Sequence, residues 1–335
     1  MTHDVIFENI DTPSGTIGHI LLNRPKAHNA LSLNMLEQLR DKLIQWQSQD
    51  AIKAVLIEGT GDRAFCAGGD IRAVYQFREE VLNGNKPYFQ VEYHLNELIY
   101  NYPKPYIAIL DGIAMGGGLG ISIWGSHTVA TERLMFAMPE TSIGLFPDIG
   151  ASYFLTRLPN HMGYYLGLTG NAINAYEALQ LGLVETVIDH QSIDSFKATL
   201  DLDAIEMPTP VVHDTSSELL NHQDEINECF SYKSITEIIN ALDGGDAWCH
   251  QVAETLRSRS PLSLKVTFDY LKLSEGKEFS EVMLLNKKLV SQFLRDDEFF
   301  EGIRAAVIDK DKNPKWQHDI DEVDKIDVRA FFMGT

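Results

Sequence analysis

Four short stretches of this chain carry residues whose types and spacing suit chemistry. "CAGGD" (66–70) and "GGGLG" (116–120) are glycine turns, while "MPE" (138–140) and "FPD" (146–148) each place an acid after a proline in an apolar run. Glycine inside a helix or strand costs roughly 0.5–1 kcal/mol against alanine, so a run of glycines demands a backbone reason. A turn that follows a strand and opens a helix exposes unpaired amides, which can hold a phosphate or a developing oxyanion. A pair of such turns could aim two amides at one carbonyl oxygen. Neither is a Walker A loop, because no Gly-Lys-Ser/Thr follows, and neither is placed as a dinucleotide fingerprint. Burial of Glu140 and Asp148 in their apolar surroundings would raise their pKa values toward those of a general acid or base at neutral pH.

The elements that must position these groups alternate. "GTIGHILLN" (15–23) reads as a strand, and the turn "RPKAHNALS" after it places Ser32 to cap a helix. Leu36, Leu39, Leu43 and Trp46 then recur at helical spacing. "KAVLIEGT" (53–60) reads as a buried strand, and "AFCAGGDIRAVYQF" (64–77) as a glycine turn running into a helix. "YFQVEYHLNELIYNY" (88–102) reads as a helix stopped by Pro103. "PYIAILDGIAM" (105–115) and "HTVATERLMFAM" (127–138) each read as one strand, and "GGGLGISIWG" starts a further helix between them. The alternation predicts an α/β architecture. The acidic segment 189–217, with Pro208 and Pro210, reads as a connector. The expected organisation is a core over residues 1–200 and a C-terminal helical region over 201–335 packed on it. Val282, Leu285, Leu289 and Phe293 form one helical stripe there, and Phe299, Phe300, Ile303 and Val307 another.

Composition narrows the function classes. A chain of 335 residues with 44% hydrophobic content can bury a large core. A net charge of −20 repels nucleic-acid backbones and anionic membranes, so neither is an expected partner. Cys66, Cys229 and Cys249 are odd in number and far apart, which fits neither a disulfide framework nor a zinc site and points to a reducing compartment. The first residues show no secretory or transit signature, and the longest apolar run, 107–125, carries Asp111 and several glycines. The expectation is a soluble, cytoplasmic protein without a metal centre.

The two glycine turns, together with "PETSIG", resemble the crotonase (enoyl-CoA hydratase/isomerase) superfamily. "NRPKAHNALS" and "LTGNAINAYEALQLGLVETVI" (168–188) are similar to it as well, and these motifs stand in family order. The resemblance implies a spiral of ββα units, acyl-CoA substrates, and an oxyanion hole made by the amides of Gly69 and Gly117. CoA would lie along Lys26, Ala27, Ala67, Gly68 and Gly69, with Lys26 as a phosphate contact. No separate cofactor is implied, since coenzyme A enters with the substrate. The superfamily favours trimers, which leaves room for a homo-oligomer.

Three positions bear on the subfamily. Enoyl-CoA hydratases carry a glutamate just after the glycines, where this chain has Gly120. Glu140 matches the family's second glutamate, and a single glutamate there also suits an isomerase. "MPETSIGLFPD" closely resembles the 3-hydroxyisobutyryl-CoA hydrolases, as do "EYHLN" (92–96), "SPLSLKVTFDYL" (260–271) and "DEFFEGIRAAVIDKDKNPKW" (297–316). That resemblance implies a pocket lined by Glu92, Gly117, Glu140 and Asp148. It implies hydrolysis of the thioester to free acid and CoA, as in valine catabolism, with isomerase or hydratase chemistry on the same fold as the alternative. Glu140 would act as nucleophile or as general base. Asp148 would orient water or the substrate hydroxyl, or protonate the leaving thiolate. Glu92 would bond the acyl hydroxyl or position Glu140.

Overall fold

A computed structural model describes residues 3–333 and divides them into two compact units, each drawn from three stretches of chain. The first takes the residues up to Asp70, Gln90–Phe136 and Ile173–Ser217. The strands, in chain order, are β1 (Val5–Thr12), β2 (Gly15–Leu22), β3 (Ile52–Gly59), β4 (Ala64–Cys66), β5 (Tyr106–Leu110), β6 (Ile113–Met115), β7 (His127–Thr131), β8 (Met135–Ala137), β9 (Ile173–Asn174) and β10 (Thr186–Ile188). A larger sheet runs β1-β2-β3-β5-β7-β10, and a smaller one runs β4-β6-β8-β9.

In the larger sheet β1 pairs antiparallel with β2, and each later neighbour is parallel. Parallel strands covered on both faces read as unbroken apolar runs, and β5, "YIAIL", is buried at every position. The segments 105–115 and 127–138, expected as one strand each, are two strands each, and this corrects the sequence expectation. The chain turns at Gly112, whose φ of 82° is left-handed, and crosses from the larger sheet to the smaller one. Repeating that crossing, with helices following β4, β6 and β8, builds the expected ββα spiral.

The segment 189–217 is also more than a connector. Its helix Ile193–Thr199 lays Phe196 against Ile17, Leu56, Ile107, Ile109, Val129 and Ile188 of the larger sheet, with Leu200 beside it. The prolines sit in the extended part that follows, where Pro208 accepts from the Thr186 hydroxyl at 2.7 Å. On Leu33–Gln47 the expected stripe is buried, and Ser32 caps the helix by accepting from the Met35 amide.

The second unit takes Ile71–Phe89, Ala137–Ala172 and the residues from Glu218 on. It is helical, with Ile235–Asp243, Ala247–Arg257, Pro261–Ser274, Phe279–Phe293 and Asp297–Ile303 among its elements. Ser234, Asp246 and Ser260 cap three of these helices with their side chains, and Glu278 opens a fourth through a capping box. Both expected stripes face inward: Val282, Leu289, Phe293, Phe299, Phe300 and Ile303 are buried, while Leu285 and Val307 are half-buried. Among the described residues no helix is long and apolar enough to cross a membrane.

Candidate active site

In the first unit the two glycine turns leave neighbouring strands. β4 and β6 pair in parallel, with Cys66 opposite Ala114, so the chain emerges from both at the same edge. The turns then touch. A Cβ added at Gly118 would come within 2.4 Å of the Cys66 carbonyl oxygen, so the third glycine of the run is required by close backbone approach. A Cβ on Gly117 would lie 3.4 Å from the Gly69 nitrogen, which places the two expected donor positions side by side. Among the described residues neither the Gly69 nor the Gly117 amide has a protein acceptor. Two adjacent free N–H groups are what an oxyanion requires.

The turn at 24–31 is tied to "CAGGD". The Ala67 amide donates to the His28 carbonyl at 3.0 Å, Leu31 to Gly68 at 2.9 Å and Asp70 to Leu31 at 2.8 Å. Arg24 closes the far side with an ion pair to Asp70 at 3.1 Å. Ala67, Gly68 and Gly69 are thereby tied, through His28 and Leu31, to the turn that carries the exposed Lys26 and Ala27. At the centre is Asn29, fully buried at a left-handed φ of 56°. Its Oδ1 accepts from the Arg24 amide at 2.9 Å, and its Nδ2 donates to the Thr60 and Ala64 carbonyls at 3.0 and 2.9 Å. Asn29→Ala strands all three groups, and a loss of about 2–4 kcal/mol is expected by chemical denaturation. A change below about 1 kcal/mol would remove Asn29 from this role.

Glu92 lies on the helix Tyr88–Tyr100 and is buried. Its Oε1 sits 2.3 Å from where a Cβ on Gly117 would be, so the glycine leaves room for the carboxylate as well as the amide. Four residues on, buried Asn96 donates to the Gly120 carbonyl at 2.9 Å and pins the end of the glycine turn. Cys66, beside the turn, is no nucleophile: burial pushes its thiol up to about 12.

In the second unit, Glu140 opens a short 3-10 turn, Glu140–Ile143, and is buried at 6% exposure. Its Oε2 has no hydrogen-bond partner among the described residues. Burial first, and the charge of Asp148 second, hold its carboxyl well above the usual carboxylate range. Asp148 is itself 4% exposed. The loop that joins them is held at both ends. Thr141 donates its hydroxyl to the Leu168 carbonyl at 3.0 Å, and its own carbonyl accepts from the Ser260 amide at 3.1 Å. Phe146 stacks on Phe293 at 5.5 Å and meets the Tyr270 ring edge-on at 5.3 Å. Ile149 follows Asp148 at φ 51°, a left-handed conformation that costs a β-branched residue about 1–3 kcal/mol. The Gly150 amide donates to Asn286 Oδ1 at 2.8 Å.

The sequence reading singles out neither Asn29, Asn96 nor Asn286, and each holds a turn by its side-chain amide. The available signal is a polar residue inside an apolar stripe, clearest for Asn286 between Met283 and Leu289. A further group outside the sequence reading is His222, Glu225 and Asp246, whose ligand atoms lie within 4.8 Å of one another. Asp246 is exposed and already caps the Cys249 amide at 2.9 Å, and His222 stacks on Trp248 at 4.3 Å.

A chain wound from sheet to sheet, with paired amide donors where it leaves the smaller one, defines the crotonase class of spiral folds. A family model described as enoyl-CoA hydratase/isomerase matches residues 17–332, and the chain belongs to that family. It is 38% identical over 332 residues to the mitochondrial 3-hydroxyisobutyryl-CoA hydrolase of Danio rerio, covering 94% of this chain and 85% of that one. It is 37% identical to the protein of that name in Homo sapiens, covering 96% of this chain and 87% of that one. Among solved structures, an enoyl-CoA hydratase from Rhodobacter sphaeroides superposes with a TM-score of 0.91 at 29% identity, covering 99% and 98% of the two chains. A carnitinyl-CoA dehydratase from Mycobacterium thermoresistibile superposes at 0.89 with 32% identity, covering 100% of this chain and 97% of that one.

Proposed function

We propose that this chain hydrolyses the thioester of 3-hydroxyisobutyryl-CoA, or of a closely related short 3-hydroxyacyl-CoA, to the free acid and CoA. The observation that carries the reading is the buried acid Glu140 with Asp148 as its charged neighbour, in a chain whose place for a hydratase's other acid is the buried Gly120. The hydrolases it resembles share more than a third of its residues along nearly all of its length.

In this reading the Gly69 and Gly117 amides take up charge on the thioester oxygen as the carbonyl is attacked. Glu140 serves in one of two ways. As nucleophile its carboxylate bonds to the carbonyl carbon and expels the CoA thiolate, and water then opens the mixed anhydride. As general base it takes a proton from water, which attacks directly. Both routes need Glu140 ionised at attack. Asp148 orients water or returns a proton to the thiolate, and Glu92 bonds the acyl hydroxyl. CoA lies along the turn that carries Lys26 and Ala27. Water is the co-substrate, so the reaction calls for no cofactor. The cysteines are odd in number and lack disulfide or zinc spacing, which suits a reducing compartment such as the cytoplasm or the mitochondrion named for the relatives. The fold nonetheless brings the Cys229 and Cys249 thiols together.

Free-thiol release from 3-hydroxyisobutyryl-, 3-hydroxypropionyl-, acetyl- and crotonyl-CoA tests the assignment. Rapid release is expected from the first two, which differ by a methyl worth about 1–3 kcal/mol of discrimination. Loss of the crotonyl enoyl absorbance without thiol release would replace the hydrolase by a hydratase.

A further inference from the structure

We propose that Asn286 is a positioning residue for the reaction, holding Asp148 in place beside Glu140 by fixing the backbone that follows it. This rests on the hydrolase assignment above and adds to it a residue remote in sequence.

Asn286 lies mid-way along the helix Phe279–Phe293 and is fully buried. Asparagine is a weak helix former, and an unsatisfied amide in a core is costly, so its presence needs a partner. All of its hydrogen-bonding groups have one. Its Oδ1 accepts from the Gly150 amide at 2.8 Å. Its Nδ2 donates to the Val282 carbonyl at 3.1 Å and to the Tyr270 hydroxyl. Tyr270 is buried on the helix Pro261–Ser274 and packs its ring against Phe146.

The anchored amide sits two residues beyond Asp148, across a reversal in which Ile149 and Gly150 both take positive φ, 51° and 86°. The Ala151 amide closes that turn on the Asp148 carbonyl at 2.8 Å. Such a conformation relaxes unless its surroundings over-determine it. Asn286 supplies the anchor from one helix, and Phe146, stacked on Phe293 and edge-on to Tyr270, supplies the other. Asp148, from the same loop, is a charged group acting on Glu140, and Tyr270, on a packed helix, is a titratable group within reach of Asp148.

The test uses Asn286→Leu, which keeps the side chain's volume and removes its hydrogen bonds, and Asn286→Asp, which keeps the acceptor for Gly150. With 3-hydroxyisobutyryl-CoA, Asn286→Leu is expected to lower kcat about 10²-fold with KM within about threefold, and Asn286→Asp to recover most of the loss. A second readout needs no turnover: carbon-13 titration of the Glu140 carboxyl. In Asn286→Leu its midpoint is expected to fall by about one pH unit, because a like charge has moved away. Tyr270→Phe, which removes one acceptor of Asn286 and keeps the Phe146 contact, should shift both readouts the same way by less. An unchanged kcat and Glu140 titration in Asn286→Leu overturns the proposal. So does an equal loss in Asn286→Asp. If the wild type releases no thiol from any acyl-CoA, the hydrolase assignment fails, and the Glu140 titration alone decides the positioning role.

Discussion

Glu140→Gln is expected to cost about 10²–10⁴-fold in thiol release and, at neutral pH, to make the protein more stable than the wild type. The two effects have one origin. Burial and the Asp148 charge hold the native carboxyl above its ordinary range, whereas in the unfolded chain it returns to about 4.3. Between those two values the native state keeps a proton that the unfolded state has lost. Stability from this group is therefore complete below the unfolded pKa and declines as pH rises through the native one. Glutamine has the same shape and no charge to bury. Thermal unfolding of the two proteins should nearly coincide at about pH 4 and separate as pH rises, with the variant ahead. A difference that does not change with pH would mean that Glu140 titrates ordinarily and would remove the acid–base role. On the proposed mechanism the same titration would govern activity, and thiol release should rise with pH as Glu140 ionises.

Gly117→Ala is expected to fold and to lose about 10²–10³-fold in kcat. The new methyl would stand 2.3 Å from Glu92 Oε1 and 3.4 Å from the Gly69 nitrogen. The first atom is the end of a flexible side chain and can swing away, so the fold has a way to yield. What does not survive is the arrangement of carboxylate and two amides around one small space. Gly118→Ala is the control. Its methyl would meet the Cys66 backbone at 2.4 Å, which cannot swing, so that variant should lose stability before it loses chemistry. A Gly117→Ala protein with wild-type kcat would show that the substrate oxygen does not occupy the space between Glu92 and these amides, since the variant keeps both N–H donors.

Much of the fold was legible because it is written in local patterns. The buried strands are apolar runs ended by glycine, and the helix Leu33–Gln47 has both its stripe and its cap in the sequence. β1 went unread because it is an edge strand with three of its eight residues exposed and only Val5 buried, so "VIFENIDT" has no continuous apolar run. Phe196 and Leu200 belong to the sheet's core, but two prolines and a run of acids nearby give their segment the composition of a connector. The acids and glycines of the candidate site were singled out by motif, spacing and family resemblance. The asparagines that hold its turns were not. Asn286 bonds a backbone group 136 residues away, and nothing near either residue in the chain signals the other.

The interleaved path of the chain also fixes an order of completion during synthesis. The first unit receives its last stretch at Ile173–Ser217, while the second still lacks everything from Glu218 on. The loop from Glu140 to Asp148 is made before the middle of the chain, yet its supports are Ser260, Tyr270, Asn286 and Phe293. A nascent chain that has already exposed its paired amides therefore has no assembled acid pair. Long-range contacts of this kind form slowly and late. On the proposed mechanism, chemistry at Glu140 would begin only once the last third of the polypeptide has been made, because Ser260, Tyr270, Asn286 and Phe293 all lie in it.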